Sequence, residues 1–247
     1  MVLLFLAHLA LAQELTVAAA ADLNYALKEL AAQYQKKTGT AVTLSFGSSG
    51  NLFSQIQNGA PYDLFFSADE DYPKRLAAAG LVEGGLPRTY AVGHLVLWVR
   101  NGVSVGRSHQ VVDILLQPSI KRIAIANPQT APYGRAAMSA LEHLGLKDKL
   151  ASKLVFGENV SQAAQFAQSG NAQAGLIPLS LALAPSMKDA GSYWELPADS
   201  YPELRQGVVI ISASKHKKAA QAFLDYVTSA EGSAVLRQYG FRVPDGR

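Results

Sequence analysis

Cysteine is absent from all 247 residues, which excludes disulfides, thiol nucleophiles, Cys-ligated zinc and iron–sulfur clusters. Charge is sparse too: 17% of residues are Asp, Glu, Lys or Arg, and 22 basic against 19 acidic side chains leave a formal excess of only +3. No basic run exceeds Lys36-Lys37 or Lys215-His216-Lys217-Lys218, so no nucleic-acid partner is expected. No apolar stretch reaches the ~20 residues that a membrane span needs. Catalytic signatures are lacking as well: there is no P-loop, no G-x-G-x-x-G and no H-E-x-x-H. Ser48 and Ser49 miss the G-x-S-x-G pattern because Phe46 and Asn51 occupy the required glycine positions. The histidines (His8, His94, His109, His143 and His216) are scattered without ligand spacing. Asp69, Glu70 and Asp71 suit a helix start, where acids complement the backbone dipole, better than a metal. These absences predict a protein that is not an enzyme and carries no cofactor and no metal ligands.

What is present is apolar and regular. Hydrophobic residues make up 49% of the chain, enough for a sizeable core and too many for disorder. Met1 to Ala12 (MVLLFLAHLALA) is almost wholly apolar and ends in an A-x-A pattern, which predicts a cleaved secretory signal over 1–12 and an exported, extracytoplasmic (periplasmic) protein. Beyond it, short apolar runs alternate with amphipathic stretches. Strands are predicted at Leu15–Ala19, Val42–Phe46, Leu64–Phe66, His94–Val99, Arg122–Ala126, Ala174–Ile177 and Gly207–Ile211. Helices are predicted between them, with two more over 215–227 and 229–238, the second opened by a Thr228…Glu231 capping box. The β-α-β-α order predicts an α/β protein in two units, each a mostly parallel sheet flanked by helices.

One local theme recurs. Strands end in small residues that open directly into a helix, at Ala19-Ala-Ala-Asp22, Gly47-Ser-Ser-Gly50, Thr130-Ala-Pro-Tyr-Gly134 and Glu158-Asn-Val-Ser161. A helix start offers backbone N–H groups without acceptors and a partial positive charge, and small side chains let an anion approach. Any one of these is an ordinary N-cap. Four of them in two α/β units point to a polar or anionic ligand at the carboxyl ends of the strands.

The stretch from Leu15 to Asp69, with FGSSGNL…GAPYDLFFSAD at its centre, resembles the periplasmic molybdate-binding proteins of bacterial ABC importers. The resemblance continues through Tyr90-Ala-Val-Gly-His94, Ala126-Asn-Pro-Gln-Thr-Ala-Pro-Tyr-Gly134 and Ala222-Phe-Leu-Asp-Tyr226…Tyr239-Gly-Phe241. It implies a type II-like two-lobed periplasmic-binding-protein fold, joined by two crossing strands and closing on an oxyanion, molybdate or tungstate, in the cleft. The expected crossings are His94–Val99 and Gly207–Ile211, with lobe 1 over 14–92 and 213–247 and lobe 2 over 93–212. In that family neutral donors hold the anion. The matching ligand-binding positions are Asp22, Ser49, Tyr133 and Val160, with Pro178 where a tyrosine often stands, and Ser48 or Ser180 as substitute donors. Asp22 departs from the frequent serine; a carboxylate aimed at a dianion is repulsive, so it is expected to cap its own helix. The implied partners are a membrane importer permease and a small oxyanion, bound by a monomer. The rivals are another oxyanion such as sulfate or phosphate, an organic anion, or an enzyme or sensor on the same fold.

Overall fold

The structure is a computed structural model that describes residues 14–107 and 110–244; the signal expected over 1–12 lies outside the described residues. In chain order the elements are β1 (Glu14–Ala20), a 3-10 turn (Ala21–Leu23), α1 (Asn24–Thr38), β2 (Ala41–Gly47), α2 (Ser49–Gln57), β3 (Leu64–Phe66), α3 (Asp71–Ala78) and β4 (Arg88–Gly93). There follow β5 (Leu95–Arg100), α4 (Val111–Leu115), β6 (Ile123–Ala126), α5 (Pro132–His143), α6 (Lys147–Leu150), β7 (Leu154–Gly157), α7 (Val160–Ser169), β8 (Ala174–Pro178) and α8 (Leu179–Ala182). The chain closes with β9 (Gly191–Glu195), β10 (Leu204–Ile210), α9 (Lys217–Val227) and α10 (Ala230–Gln238).

Two five-stranded sheets result, ordered β2-β1-β3-β10-β4 and β7-β6-β8-β5-β9. In each, three parallel strands (β2-β1-β3 and β7-β6-β8) are extended by two more through antiparallel pairings, β3-β10-β4 and β8-β5-β9. The parallel strands β3 and β6 are buried along their whole length, as expected where helices cover both faces. The helices dock through apolar stripes at helical spacing. In α1 the buried residues are Ala26, Leu27, Leu30, Ala31 and Tyr34, and the helix stops at Gly39, whose φ of 76° is the left-handed conformation of a C-terminal cap.

The core of the first unit joins the two ends of the chain. Phe223 of α9 and Leu236 of α10 pack with Leu15, Val17 and Phe66 of the first sheet. Fully burying a side chain such as Phe223 contributes about 1.5–3 kcal/mol, so these C-terminal helices are integral to that unit. The second core gathers around Trp98, Ile123, Ile125 and Leu141. Among the described residues no helix is long and apolar enough to cross a membrane.

Two local expectations are corrected. Gly207–Ile211 and His94–Val99 are expected as crossing strands, yet β10 lies inside the first sheet, paired antiparallel to β3 and β4, and β5 inside the second, paired antiparallel to β8 and β9. The chain therefore crosses between the sheets at Gly93–His94 and again over 196–203, and the β-branched run completes the first sheet. The expected capping box does not form, because with the N-cap at residue 229 the third helical position is Gly232. Ser229, not Thr228, is the N-cap of α10 and accepts from the Gly232 N–H, while the Thr228 hydroxyl donates to the Leu224 carbonyl at the end of α9. Glu231 binds Lys37 and the Tyr226 hydroxyl instead.

The two units meet along a seam tied by polar contacts. The Gly50 N–H donates to the Thr130 carbonyl (2.8 Å), Arg135 pairs with Asp69 (2.6 Å), and Tyr25 meets Ser186 (2.8 Å). The Ser161 and Ser180 hydroxyls donate to the Ala21 and Asp22 carbonyls at 3.2 and 2.7 Å.

Candidate functional site

Parallel strands in both sheets deliver small residues to the seam at their carboxyl ends. β1 ends in Ala19-Ala20 and hands on to Asp22; β2 ends at Gly47 and opens α2 at Ser49. Across the seam, the chain after β6 opens α5 at Pro132-Tyr133, and β7 ends at Gly157 just before α7 begins at Val160. These starts enclose a cavity of about 10 Å³, taken as the space open to a water's centre, whose wall includes Asp22, Ser48, Ser49, Tyr133, Asn159 and Val160. Room of that order holds about one water molecule, so a tetrahedral oxyanion enters only as the walls move apart across the seam.

The donors that face this space follow from the capping chemistry. Ser49, Tyr133 and Val160 lie in the first turns of α2, α5 and α7, where an N–H has no acceptor within its own helix. The N-cap of α7, Asn159, accepts from Ser161 N–H and Gln162 N–H (3.0 and 3.1 Å) and leaves the Val160 N–H to the cavity. The Ser49 hydroxyl accepts from the Ala68 N–H (3.0 Å), which fixes its oxygen and leaves its proton to donate elsewhere. Ser48 is the N-cap of α2, accepting weakly from the Asn51 N–H at 3.4 Å. Ser48, Ser49, Tyr133 and Val160 are buried, and the cavity wall carries no lysine or arginine.

Asp22 does not cap its helix. Ala20 and Leu23 hold the N-cap positions of the two consecutive turns, and neither turn has a side-chain cap. Instead Asp22, 1% exposed, is held through Oδ2 by the Gln206 side-chain amide (2.6 Å), and its Oδ1 is buried without a hydrogen-bond partner. Burial raises its pKa to about 6, against the opposing pull of the Gln206 amide, the Tyr133 hydroxyl and the N–H groups of residues 22 and 23. Gln206 itself is fixed from behind: the Tyr90 hydroxyl donates to its Oε1 (2.6 Å), and its Nε2 also reaches the Tyr133 hydroxyl (3.2 Å). Gly93, at the first crossing, leaves room for this network, since a Cβ there would collide with the Tyr133 hydroxyl.

Of the residues singled out from sequence, Asp22, Ser48, Ser49, Tyr133 and Val160 are brought together around one cavity. Pro178 and Ser180 are not on its wall. Pro178 ends β8 opposite Leu95, and the Ser180 proton is committed to the Asp22 carbonyl. Asn159 was missed, although an Asn before an apolar helical run is an N-cap signal. Gln206 and Tyr90 were missed because nothing local announces a contact across 184 or 116 residues. Asp69 pairs with Arg135, and Glu70 with Lys74 and Arg205. These ion pairs wall a wider opening of about 400 Å³ beside the seam, where the charges answer one another.

Comparison with known proteins gives a consistent result. The family described as bacterial extracellular solute-binding protein matches residues 15–242. The molybdate-binding protein ModA of Azotobacter vinelandii is 41% identical over 236 residues, covering 96% of this chain and 92% of that protein. The ModA of Rhodobacter capsulatus is 38% identical, covering 94% and 89%. Among solved structures, the Azotobacter vinelandii periplasmic molybdate-binding protein superposes with a TM-score of 0.87 at 38% identity, over 94% of this chain and 100% of that one.

Proposed function

The chain belongs to the bacterial extracellular solute-binding proteins, and to the molybdate-binding proteins of ABC importers within them, and from that premise we propose that it captures molybdate, and tungstate with it, at the seam between its two sheets. The observation that carries this reading is the ring of first-turn N–H groups and serine hydroxyls around a small cavity whose wall carries no lysine or arginine. Such a ring recognises an anion by hydrogen bonds whose positions are fixed by helix ends, so it measures the ligand's size. Three N–H groups (Ser49, Tyr133, Val160) and the two hydroxyls of Ser48 and Ser49 make five donors. At about 1.5–3 kcal/mol per hydrogen bond to a charged group, they give roughly 7–15 kcal/mol gross. Micromolar binding requires about 8 kcal/mol net. Anion desolvation and seam closure oppose the gross figure, so most of these donors must engage at once.

A site this small, widened only by movement across the seam, suits a compact inorganic oxyanion better than an organic one. The loaded protein delivers its cargo to a membrane importer permease as an extracytoplasmic monomer, with no resident cofactor and no catalytic step. Lobe 1 comprises 14–93 with β10 and the C-terminal helices, and the chain passes to lobe 2 after Gly93. One observation favours a second reading: a charged Asp22 would accept a hydrogen bond from an oxyanion that still carries a proton, such as hydrogen phosphate.

Thermal unfolding with molybdate, tungstate, sulfate and phosphate in turn tests the proposal. Ligand at about 100 times its Kd stabilises by ~2.7 kcal/mol, a rise of roughly 5–10 °C for a chain of this size. Molybdate and tungstate are expected to give that rise. A rise with phosphate alone would establish the second reading, and no rise with any of the four would reject an oxyanion site.

A further inference from the structure

Asp22 is the member of the cavity wall whose charge would oppose a dianion. Its Oδ2 is taken by Gln206 and its Oδ1 has no protein partner, although it is buried and belongs to a residue of the wall. The groups around it are known from every side. Tyr133 stands on α5, Gln206 on β10 with Tyr90 of β4 behind it, and Ser180 of α8 holds the Asp22 carbonyl. From the start of α7 it faces the neutral Asn159 and Val160. The carboxylate of Asp69 acts on the same Tyr90. Among the described residues no lysine, arginine or histidine forms an ion pair with Asp22. Neutral donors (the Gln206 amide, the Tyr133 hydroxyl and the N–H groups of residues 22 and 23) offset the carboxylate's charge only in part, and a proton on Oδ1 turns that atom from a repelling acceptor into a sixth donor.

We propose that Asp22 engages the oxyanion as a neutral acid, a proton taken from solvent sitting on Oδ1 and being donated to a ligand oxygen, so that capture of the anion takes up one proton. This rests on the molybdate reading above. Burial already raises the Asp22 pKa to about 6, and a dianion against Oδ1 raises it further. Near neutral pH the free protein is thus mostly ionised at Asp22 and the loaded protein is protonated. Binding then weakens as pH rises, approaching tenfold per pH unit above the free-protein value. The same proton sets selectivity: a donor at Oδ1 favours fully deprotonated oxyanions and leaves a hydrogen oxyanion's own proton without an acceptor.

Calorimetric titration of the whole chain with sodium molybdate tests this, at pH 6.5 to 8.5 and in buffers of different ionisation enthalpy at pH 7.5. The wild type is expected to take up close to one proton per molybdate and to lose affinity steadily across the range. Asp22→Asn, which donates an amide proton and does not titrate, is expected to bind with no proton uptake and a Kd flat in pH; Asp22→Ser gives the same flat profile if the amide disturbs folding. Molybdate binding to the wild type without proton uptake, or a variant that keeps the wild-type slope, overturns the proposal and leaves the molybdate reading intact. Phosphate binding that outcompetes molybdate and is lost in Asp22→Asn overturns it in favour of a charged acceptor. No molybdate binding at any pH overturns both.

Discussion

Replacing Gly50 by alanine strikes the seam without touching a proposed ligand donor. A Cβ on Gly50 would stand 2.6 Å from the Tyr72 hydroxyl and 2.8 and 3.0 Å from the Thr130 carbonyl oxygen and Cα. The tyrosine can rotate aside, but Thr130 is backbone of the opposite unit, so relief requires the seam to open. Opening breaks the Gly50 N–H to Thr130 carbonyl bond of 2.8 Å, a loss of about 0.5–1.5 kcal/mol. Forcing closure against the methyl costs about 1–3 kcal/mol more, as for an overpacked core. Together these amount to roughly 2–4 kcal/mol on the closed form alone, or a molybdate Kd raised about 30- to 1,000-fold. On the proposed two-lobed reading the ligand-free protein relieves the clash by opening at the seam, and alanine is the better helix former in the first turn of α2, so its Tm should change little. Calorimetry for Kd and thermal unfolding without ligand separate the two effects. A Kd within threefold of wild type would refute the argument that the seam closes on the ligand through this contact.

Two further substitutions test the donor ring and the buried acid. Ser49→Ala removes one hydroxyl donor and strands the Ala68 N–H; molybdate Kd should rise roughly 10- to 150-fold, the equivalent of about 1.5–3 kcal/mol, and an unchanged Kd by calorimetry would misplace the site. Asp22 also makes ligand-free stability depend on pH. Its folded pKa of about 6 lies above the ordinary 3.8, so the folded state holds the proton more tightly. Its contribution is complete below pH ~3.8, falls as pH rises to about 6, and is flat beyond. The loss amounts to about 3 kcal/mol. Asp22→Asn should therefore be more stable than wild type at pH 7.5, by roughly 6–12 °C in Tm, and should converge with it towards pH 4. Parallel Tm–pH curves for the two proteins would show that Asp22 is not buried as charged carboxyl.

Much of this was legible in the sequence, for reasons that are local. Short apolar runs such as Leu64–Phe66 and small-residue helix starts such as Gly47-Ser48-Ser49 announce themselves within a few residues, and the family resemblance singles out Ser49, Tyr133 and Val160 within those starts. The half-exposed strands β7 and β9 carry weak alternation and went unmarked. The β-branched run of β10 reads the same in either sheet, so its membership was decided only by pairing with β3 and β4. Asp22 obeyed N-cap statistics on paper; in the fold Gln206, 184 residues away, claims its carboxyl. Ser180 is similar: a hydroxyl near the seam reads as a ligand donor until the Asp22 carbonyl is seen to hold its proton.

The most direct test of the account is the position of molybdenum itself. Crystals grown with molybdate and measured at the molybdenum absorption edge should show one strong anomalous peak per chain, within hydrogen-bonding geometry of Ser49 Oγ and the N–H groups of Tyr133 and Val160. A protein that crystallises with molybdate but shows no peak there, or shows it in the charged opening beside Arg135 and Arg205, would contradict capture of the anion by helix ends at the seam.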